Sequence, residues 1–341
     1  MSSKLSLGLV VFETTDACNQ RCKFCYNHWK ADGDVSADAP DFRLARRTLR
    51  TLLSQAEVAQ ISMSGGEPLL MPRLHDLIWT ARWAGSAVNV LTNGTRMTTD
   101  TLAILHDLGV QHIQIPILAD NAALHDSITG LEGSWQRCTD TARRVAEMRE
   151  AWLTPVFILS RLNRDNIAPT LALYHSLGCR IAMFNRFNIG GLGIHHAAEL
   201  TLTNAELQEA FAVASRSATE HNMMLHNGVC SPMCVLDPNK YPHIIFSHCN
   251  TDIKNRPLTI NYRGDVRFCN HSPRVLGNIH QKPLAEILDA THIGNFYGGK
   301  PDHCASCKLW EVCRGGCRAA SEQLYGTFNR VDPIVEQGDA E

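Results

Sequence analysis

The sequence predicts an α/β fold on a parallel sheet, followed by a small cysteine-rich α+β domain. Three observations carry this. Six apolar runs alternate with helix-length amphipathic segments up to residue 195, the pattern of strands joined by helical crossovers. The residues with the most distinctive chemistry follow the first two of those runs, where sites form in such sheets. Eight of the thirteen cysteines lie from residue 230 onward. Periodicity alone leaves an open sheet and a barrel equally possible.

Residues 7–13 (Leu7, Leu9, Val10, Val11, Phe12) form a buried apolar strand that delivers a cysteine loop. Phe42, Leu44, Ala45, Leu49, Leu52 and Leu53 recur at helical spacing over 42–56. A second strand, 58–63, runs into Ser64, Gly65, Gly66, Glu67 and Pro68, with a helix over 74–83 beyond it. Strand 87–91 ends in Thr92, Asn93 and Gly94, and a helix spans 99–108. Strand 110–118, a loop, helix 135–148, strand 155–159, helix 167–177 and strand 180–187 complete the repeat. Residues 204–221 read as an amphipathic helix capped by Thr203 or Asn204. Residues 258–262 and 266–268 flank Arg263, Gly264 and Asp265 as a hairpin.

Composition narrows the function. Hydrophobic content of 44% with 19% charged residues suits a packed core. The net charge of −2 and the lack of a dense Lys/Arg block argue against nucleic acid. No apolar run reaches membrane-span length, and the N-terminus has no signal-peptide pattern. Thirteen cysteines without an export signal point to metal in a reducing, cytoplasmic setting.

The cysteine loop is Cys18, Cys22 and Cys25, spaced C-x3-C-x2-C. Cubane iron–sulfur clusters usually have four thiolate ligands, so three thiols would leave one iron open for chemistry. Zinc usually takes paired ligands from two separated segments, and disulfides belong to oxidising compartments. Gly65 and Gly66 permit close backbone approach, and Glu67 offers a carboxylate to an ammonium group. An ordinary strand-to-helix turn would show the same glycines. The sixteen histidines form no metal-binding pattern, and Cys138 and Cys179 read as packing residues.

With Phe24 before its last cysteine, the loop resembles the signature of the radical S-adenosylmethionine (AdoMet) enzymes. The resemblance implies a partial (β/α)6 TIM-like barrel and a [4Fe–4S] cluster whose open iron is chelated by S-adenosyl-L-methionine. It further implies reductive cleavage to a 5′-deoxyadenosyl radical that abstracts a hydrogen atom from substrate. Gly65, Gly66 and Glu67 match the family motif that binds the AdoMet amino group, and Asn93 is a further cofactor-binding candidate beside Phe24. One departure is Ile115-Pro116-Ile117, where relatives often carry a serine, so no ribose contact is carried over. Ser160, Arg161, Asn163 and Asn185 are candidates for the barrel mouth.

Cys249, Gly264, Cys269 and the run Cys304-x2-Cys307-x5-Cys313-x3-Cys317 resemble the SPASM extension of that family. It carries two auxiliary iron–sulfur clusters. The extension usually has one more cysteine after the last of these, and none follows Cys317 here. Cys230 and Cys234 bring the count to the eight thiolates that two cubanes need. The expected grouping is Cys249, Cys269 and Cys317 with Cys234, and Cys304, Cys307 and Cys313 with Cys230. A free Cys230 that donates a hydrogen atom is the alternative.

The expected division is a barrel over 1–195, a helical connector over 196–248, a SPASM-like domain over 249–325 and a tail over 326–341. The leading expectation is an oxidoreductase that crosslinks, epimerises or dehydrogenates a peptide. The same chemistry on a sugar or cyclitol is the alternative, and a non-catalytic iron–sulfur or zinc protein is a third. Asn270 stands where sulfatase-maturing relatives have an aspartate base, and an amide has no useful proton affinity, so their substrate class does not carry over. The segment before Cys18 is too short for the leader-binding module of many peptide-modifying relatives. The expected partners are a flavodoxin or ferredoxin as electron donor, the substrate, and a separate leader-peptide-binding protein.

Overall fold

The computed structural model describes residues 4–33, 39–148, 152–250, 256–289 and 299–336. The end of the expected tail, 337–341, lies outside them.

Eight strands lie side by side in chain order, all parallel: β1 (Leu5–Thr15), β2 (Ala56–Gly65), β3 (Ala87–Leu91), β4 (His112–Pro116), β5 (Trp152–Leu159), β6 (Ile181–Arg186), β7 (Met224–Asn227) and β8 (Ile244–Phe246). The segment 196–248 is therefore not purely helical: it adds β7 and β8. Beyond β1 the sheet continues with β9 (Leu258–Asn261), β10 (Asp265–Arg267) and β11 (Val275–Asn278). β9 pairs parallel to β1, and β9–β10 is an antiparallel hairpin turning at Gly264, φ +96°. The sheet ends at β11 and β8 and does not close.

Helices pack against this sheet: α1 (Phe42–Gln55), α2 (Leu74–Trp83), α3 (Thr99–Asp107), α4 (Ala122–Thr129), α5 (Ser134–Ala146), α6 (Ile167–Ser176), α7 (Ala197–Leu200), α8 (Asn204–Glu220) and α9 (Leu284–Ile287). In α1 the side chain of Asp41 caps the Leu44 amide, and Ala45, Leu49, Leu52 and Leu53 are buried. Thr203 caps α8 through a full capping box with Glu206, which satisfies two amides that the helix leaves free. Strand residues such as Val10, Phe12, Ile61, Met63, Val90 and Phe157 join one large core, as expected for strands covered on both faces. Cys138 and Cys179 belong to that core. Pro116 is the last residue of β4, so its missing N–H removes no bond from the strand interior.

α4 falls in a stretch that reads as loop. Its local signals are Asn121, which caps the Leu124 amide, and Gly130, left-handed at φ +67° just past its end. These are the usual start and stop residues of a helix.

Candidate active site and iron–sulfur centres

Cys18, Cys22 and Cys25 follow β1 directly and are half-buried. The loop is held at fixed points. The Arg21 and Lys23 amides donate to the last carbonyls of α4, Thr129 at 3.1 Å and Ile128 at 2.9 Å. The Cys25 amide donates to the Cys22 carbonyl at 3.0 Å. The Cys22 thiol donates to Gln20 Oε1 at 3.2 Å. Burial, and after it the neighbouring Cys18 and Cys25 sulfurs, push the Cys22 thiol well above its ordinary range. Burial also raises Cys18, while Lys30 pulls both down. Thiols in such a place ionise when a metal supplies positive charge.

Gly65 and Gly66 are required by the chain itself. Their loop lies backbone to backbone on the start of the cysteine loop: the Gly66 amide donates to the Thr15 carbonyl and the Glu67 amide to the Ala17 carbonyl, both at 2.8 Å. A Cβ at Gly66 would meet the Ala17 oxygen at 2.1 Å, and one at Gly65, φ +122°, the Thr15 oxygen at 2.4 Å. Glu67 is 1% exposed. Its carboxylate accepts from Thr92 Oγ1 at 2.6 Å, the Asn93 amide at 2.7 Å and the Leu69 amide at 3.0 Å. Burial raises its pKa, and these three donors oppose the rise. Glu67 thus ties the ends of β2 and β3 together, a task that its motif did not reveal.

Asn93 completes the tie. Its Nδ2 donates to Asn19 Oδ1 at 2.9 Å, and Asn19 Nδ2 donates to Thr95 Oγ1 at 2.8 Å. Asn19 lies inside the cysteine loop, so the β3 end and that loop are one network. Phe24 packs beside Phe187, Ile189 and Leu200. Of the candidates for the barrel mouth, Asn163 is spent internally. It accepts from the Ser160 amide and hydroxyl and donates to the Leu118 and Ile158 carbonyls. Arg161 donates to the Ala198 carbonyl, and Asn185 accepts from the Gly228 amide.

The eight C-terminal thiols form two groups. Cys230 is hydrogen-bonded to Cys249, the first cause of its raised pKa, and feels Cys317 and Cys269. Cys234 feels Cys313 and Cys307, and Cys304 feels Cys307, Cys313 and Cys234. Cys230 therefore belongs with Cys249, Cys269 and Cys317, and Cys234 with Cys304, Cys307 and Cys313. This reverses the grouping expected from sequence proximity. The segment 230–234 runs between the two groups, with the Met233 amide donating to Cys313 Sγ at 3.4 Å. Among the described residues no three His, Cys, Asp or Glu side chains converge tightly enough for a single metal ion. Two sets of four neighbouring thiols match in number the four thiolates that each cubane requires.

Two buried ion pairs fix these groups to the barrel. Arg267 on β10 reaches Glu13 on β1, and both are at most 2% exposed. Arg186 at the end of β6 meets Asp332, which is fully buried and accepts from the Cys317 amide at 2.7 Å. Arg186 Nη2 also donates to the Cys230 carbonyl at 2.8 Å. Asp332 lies in the expected tail, so that segment is a working part of this centre. Between the centres lies Tyr26, whose hydroxyl accepts from Asn270 Nδ2 at 2.5 Å. Burial raises Tyr26, with Glu13, Cys25 and Cys269 adding to the rise. The path from Cys25 to Cys269 is thus two adjacent residues and one hydrogen bond. Beside it, burial lowers His271 to about 4, and its Nε2 faces the Ile189 carbonyl at 2.8 Å. Tyr26, His271 and Asp332 carry no local sequence signal for these positions.

An open parallel barrel with three thiols after its first strand and two further groups of four defines an iron–sulfur enzyme scaffold. A model of the Radical SAM superfamily matches residues 12–171, and one of an iron–sulfur cluster-binding domain, SPASM, matches 249–317. Residues 12–171 are thus a radical AdoMet domain and residues 249–317 a SPASM domain. The chain's cofactors are accordingly AdoMet and iron–sulfur clusters, [4Fe–4S] at the AdoMet site. It is 29% identical over 335 residues to the PqqA peptide cyclase of Streptomyces rochei, covering 95% of this chain and 88% of the relative. It is 26% identical to that of Methylocella silvestris, over 96% of this chain and 87% of the relative. In fold it is similar to Streptococcus suis SuiB bound to the precursor peptide SuiA, at TM-score 0.73 and 16% identity, covering 96% of this chain and 75% of SuiB. It is equally similar to anSMEcpe with bound AdoMet, at TM-score 0.73 and 13% identity, over 97% and 94% of the two chains. No helix among the described residues is long and apolar enough to cross a membrane.

Proposed function

We propose that this enzyme modifies a peptide, joining two of its side chains. The observation that carries the reading is the likeness to PqqA peptide cyclases over 95% of the chain, through both domains. Cys18, Cys22 and Cys25 hold the AdoMet-binding cluster, and the eight C-terminal thiols hold two auxiliary clusters in the groups described above. When bound, the cluster and AdoMet supply a carbon-centred radical that takes a hydrogen atom from substrate. The chain's own part is placement. Gly65, Gly66 and Glu67 lock the AdoMet loop to the cysteine loop, and Asn93 ties in the third strand end. Tyr26 and Asn270 join the wall between the centres, over which the second electron of an oxidative crosslink would leave.

Asn270 holds no proton-accepting carboxylate, so the base that completes a crosslink comes from elsewhere in the complex. The test is anaerobic incubation with AdoMet, reductant and a short peptide encoded beside this gene. Formation of a crosslink removes two hydrogen atoms, and fragmentation locates the joined residues. An unchanged mass in ordinary water, with a gain of one deuterium at an α-carbon in deuterated water, would replace crosslinking by epimerisation. Unchanged peptides together with oxidation of a sugar or cyclitol would overturn the peptide reading.

A further inference from the structure

Lys30 closes the single helical turn His28–Lys30 that follows the cysteine loop. Its side chain is 2% exposed, and it is the one lysine among the buried described residues. An ammonium carries three donors. Its one hydrogen-bond partner among the described residues is the Gln20 carbonyl, 3.5 Å from Nζ, at the far end of the hydrogen-bond range. No carboxylate of the described residues pairs with it. A buried cation without a partner is costly, and chains tolerate it where an anion arrives to pair with it.

The direction of that unmet charge is clear from its one contact. Gln20 lies between Cys18 and Cys22, so the ammonium is held against the middle of the cysteine loop. A cubane on three thiolates is anionic in its oxidised form and gains a further negative charge on reduction.

We propose that Lys30 is the built-in counter-ion of the cluster at Cys18, Cys22 and Cys25, stabilising its reduced form. The inference rests on the assignment of that cluster to those three thiols. A nearby positive charge favours the redox state with more negative charge, so Lys30 raises the cluster's reduction potential. It acts through the field at the cluster and is a positioning and tuning residue. The same pairing explains why the chain accepts a buried lysine at all: the cost falls on the metal-free form and is offset when the cluster is built.

The test compares wild type, Lys30→Met and Lys30→Arg, each reconstituted anaerobically and titrated with dithionite in the absence of AdoMet. The signal followed is the electron paramagnetic resonance that added AdoMet perturbs. In Lys30→Met the reduced-to-oxidised ratio at the wild-type midpoint should fall tenfold or more, about 59 mV for one electron. Lys30→Arg should keep most of the wild-type potential. The metal-free Lys30→Met chain should unfold at the same temperature as wild type or higher, because an unpaired charge has gone. Loss of this cluster alone in Lys30→Met, restored in Lys30→Arg, would support the proposal equally. An unchanged midpoint with weaker AdoMet binding would overturn it and give the ammonium to the AdoMet carboxylate. An unchanged midpoint with a less stable metal-free chain would make Lys30 a packing residue. Survival of the AdoMet-perturbed signal when Cys18, Cys22 and Cys25 are all replaced by Ala would instead place the failure in the ligand assignment.

Discussion

The three thiols of the AdoMet site and the eight of the C-terminal third are assembled in opposite ways. Cys18, Cys22 and Cys25 lie on one loop, held by α4 on one side and by the Gly65–Glu67 loop on the other. Their proximity is a property of eight consecutive residues. The auxiliary thiols come from a segment after β7, from residues 249 and 269 on either side of the β9–β10 hairpin, and from the run 304–317. Two buried ion pairs, Glu13–Arg267 and Arg186–Asp332, bring them to the barrel. A locally built site can be read from spacing. A site gathered over nearly ninety residues depends on which segment crosses which, and proximity in sequence then misleads.

The largest effect expected from breaking this contrast is at the local site. Replacing Cys18, Cys22 and Cys25 together with Ala should abolish production of 5′-deoxyadenosine, assayed anaerobically with AdoMet and reductant. About eight irons per chain should remain, those of two cubanes. Normal 5′-deoxyadenosine would refute the local assignment, and about four irons would mean that one auxiliary site stays empty.

Next in size is the dependence of the gathered site on its ion pairs. Asp332→Asn keeps the shape of the side chain and removes the charge facing Arg186. Breaking a buried pair costs about 3–5 kcal/mol, so denaturant unfolding should show a loss of that order. Iron content should fall as well, because Asp332 also holds the Cys317 amide. Stability equal to wild type would show that the pair contributes nothing to the fold.

The grouping of thiols can be tested by double replacement. Cys230→Ala with Cys317→Ala should remove one cluster, about four irons. Cys230→Ala with Cys313→Ala should remove both, about eight. Equal losses in the two double variants would return Cys230 to an unassigned thiol.

The smallest of these effects is at Glu67. A hydrogen bond to a charged group contributes about 1.5–3 kcal/mol, and this carboxylate accepts three. Glu67→Ala should weaken AdoMet binding at least about tenfold by calorimetry, and it should also loosen the β2–β3 junction. Unchanged affinity with a drop in stability alone would make Glu67 purely a tie between strand ends.

By itself the sequence determined the alternation of strands and helices, the three-thiol loop after the first strand, the glycine-rich loop after the second and the number of auxiliary thiols. All of these are short-range: periodicities of two and 3.6 residues, or spacings within one loop, which backbone geometry converts directly into structure. The hairpin over 258–268 was legible for the same reason, and so was the cap at Thr203. Tertiary structure alone decided that β7 and β8 extend the sheet, since runs of three or four residues carry no periodicity to read. It also decided that the hairpin joins the barrel by pairing β9 with β1, and that Asp332 closes the centre around Cys317. It exchanged Cys230 and Cys234, four residues apart, because the chain between them passes from one thiol group to the other. The buried charge of Lys30 belongs to the same class. Its residue type is plain in the sequence, but only the packing around it shows that no carboxylate among the described residues answers it.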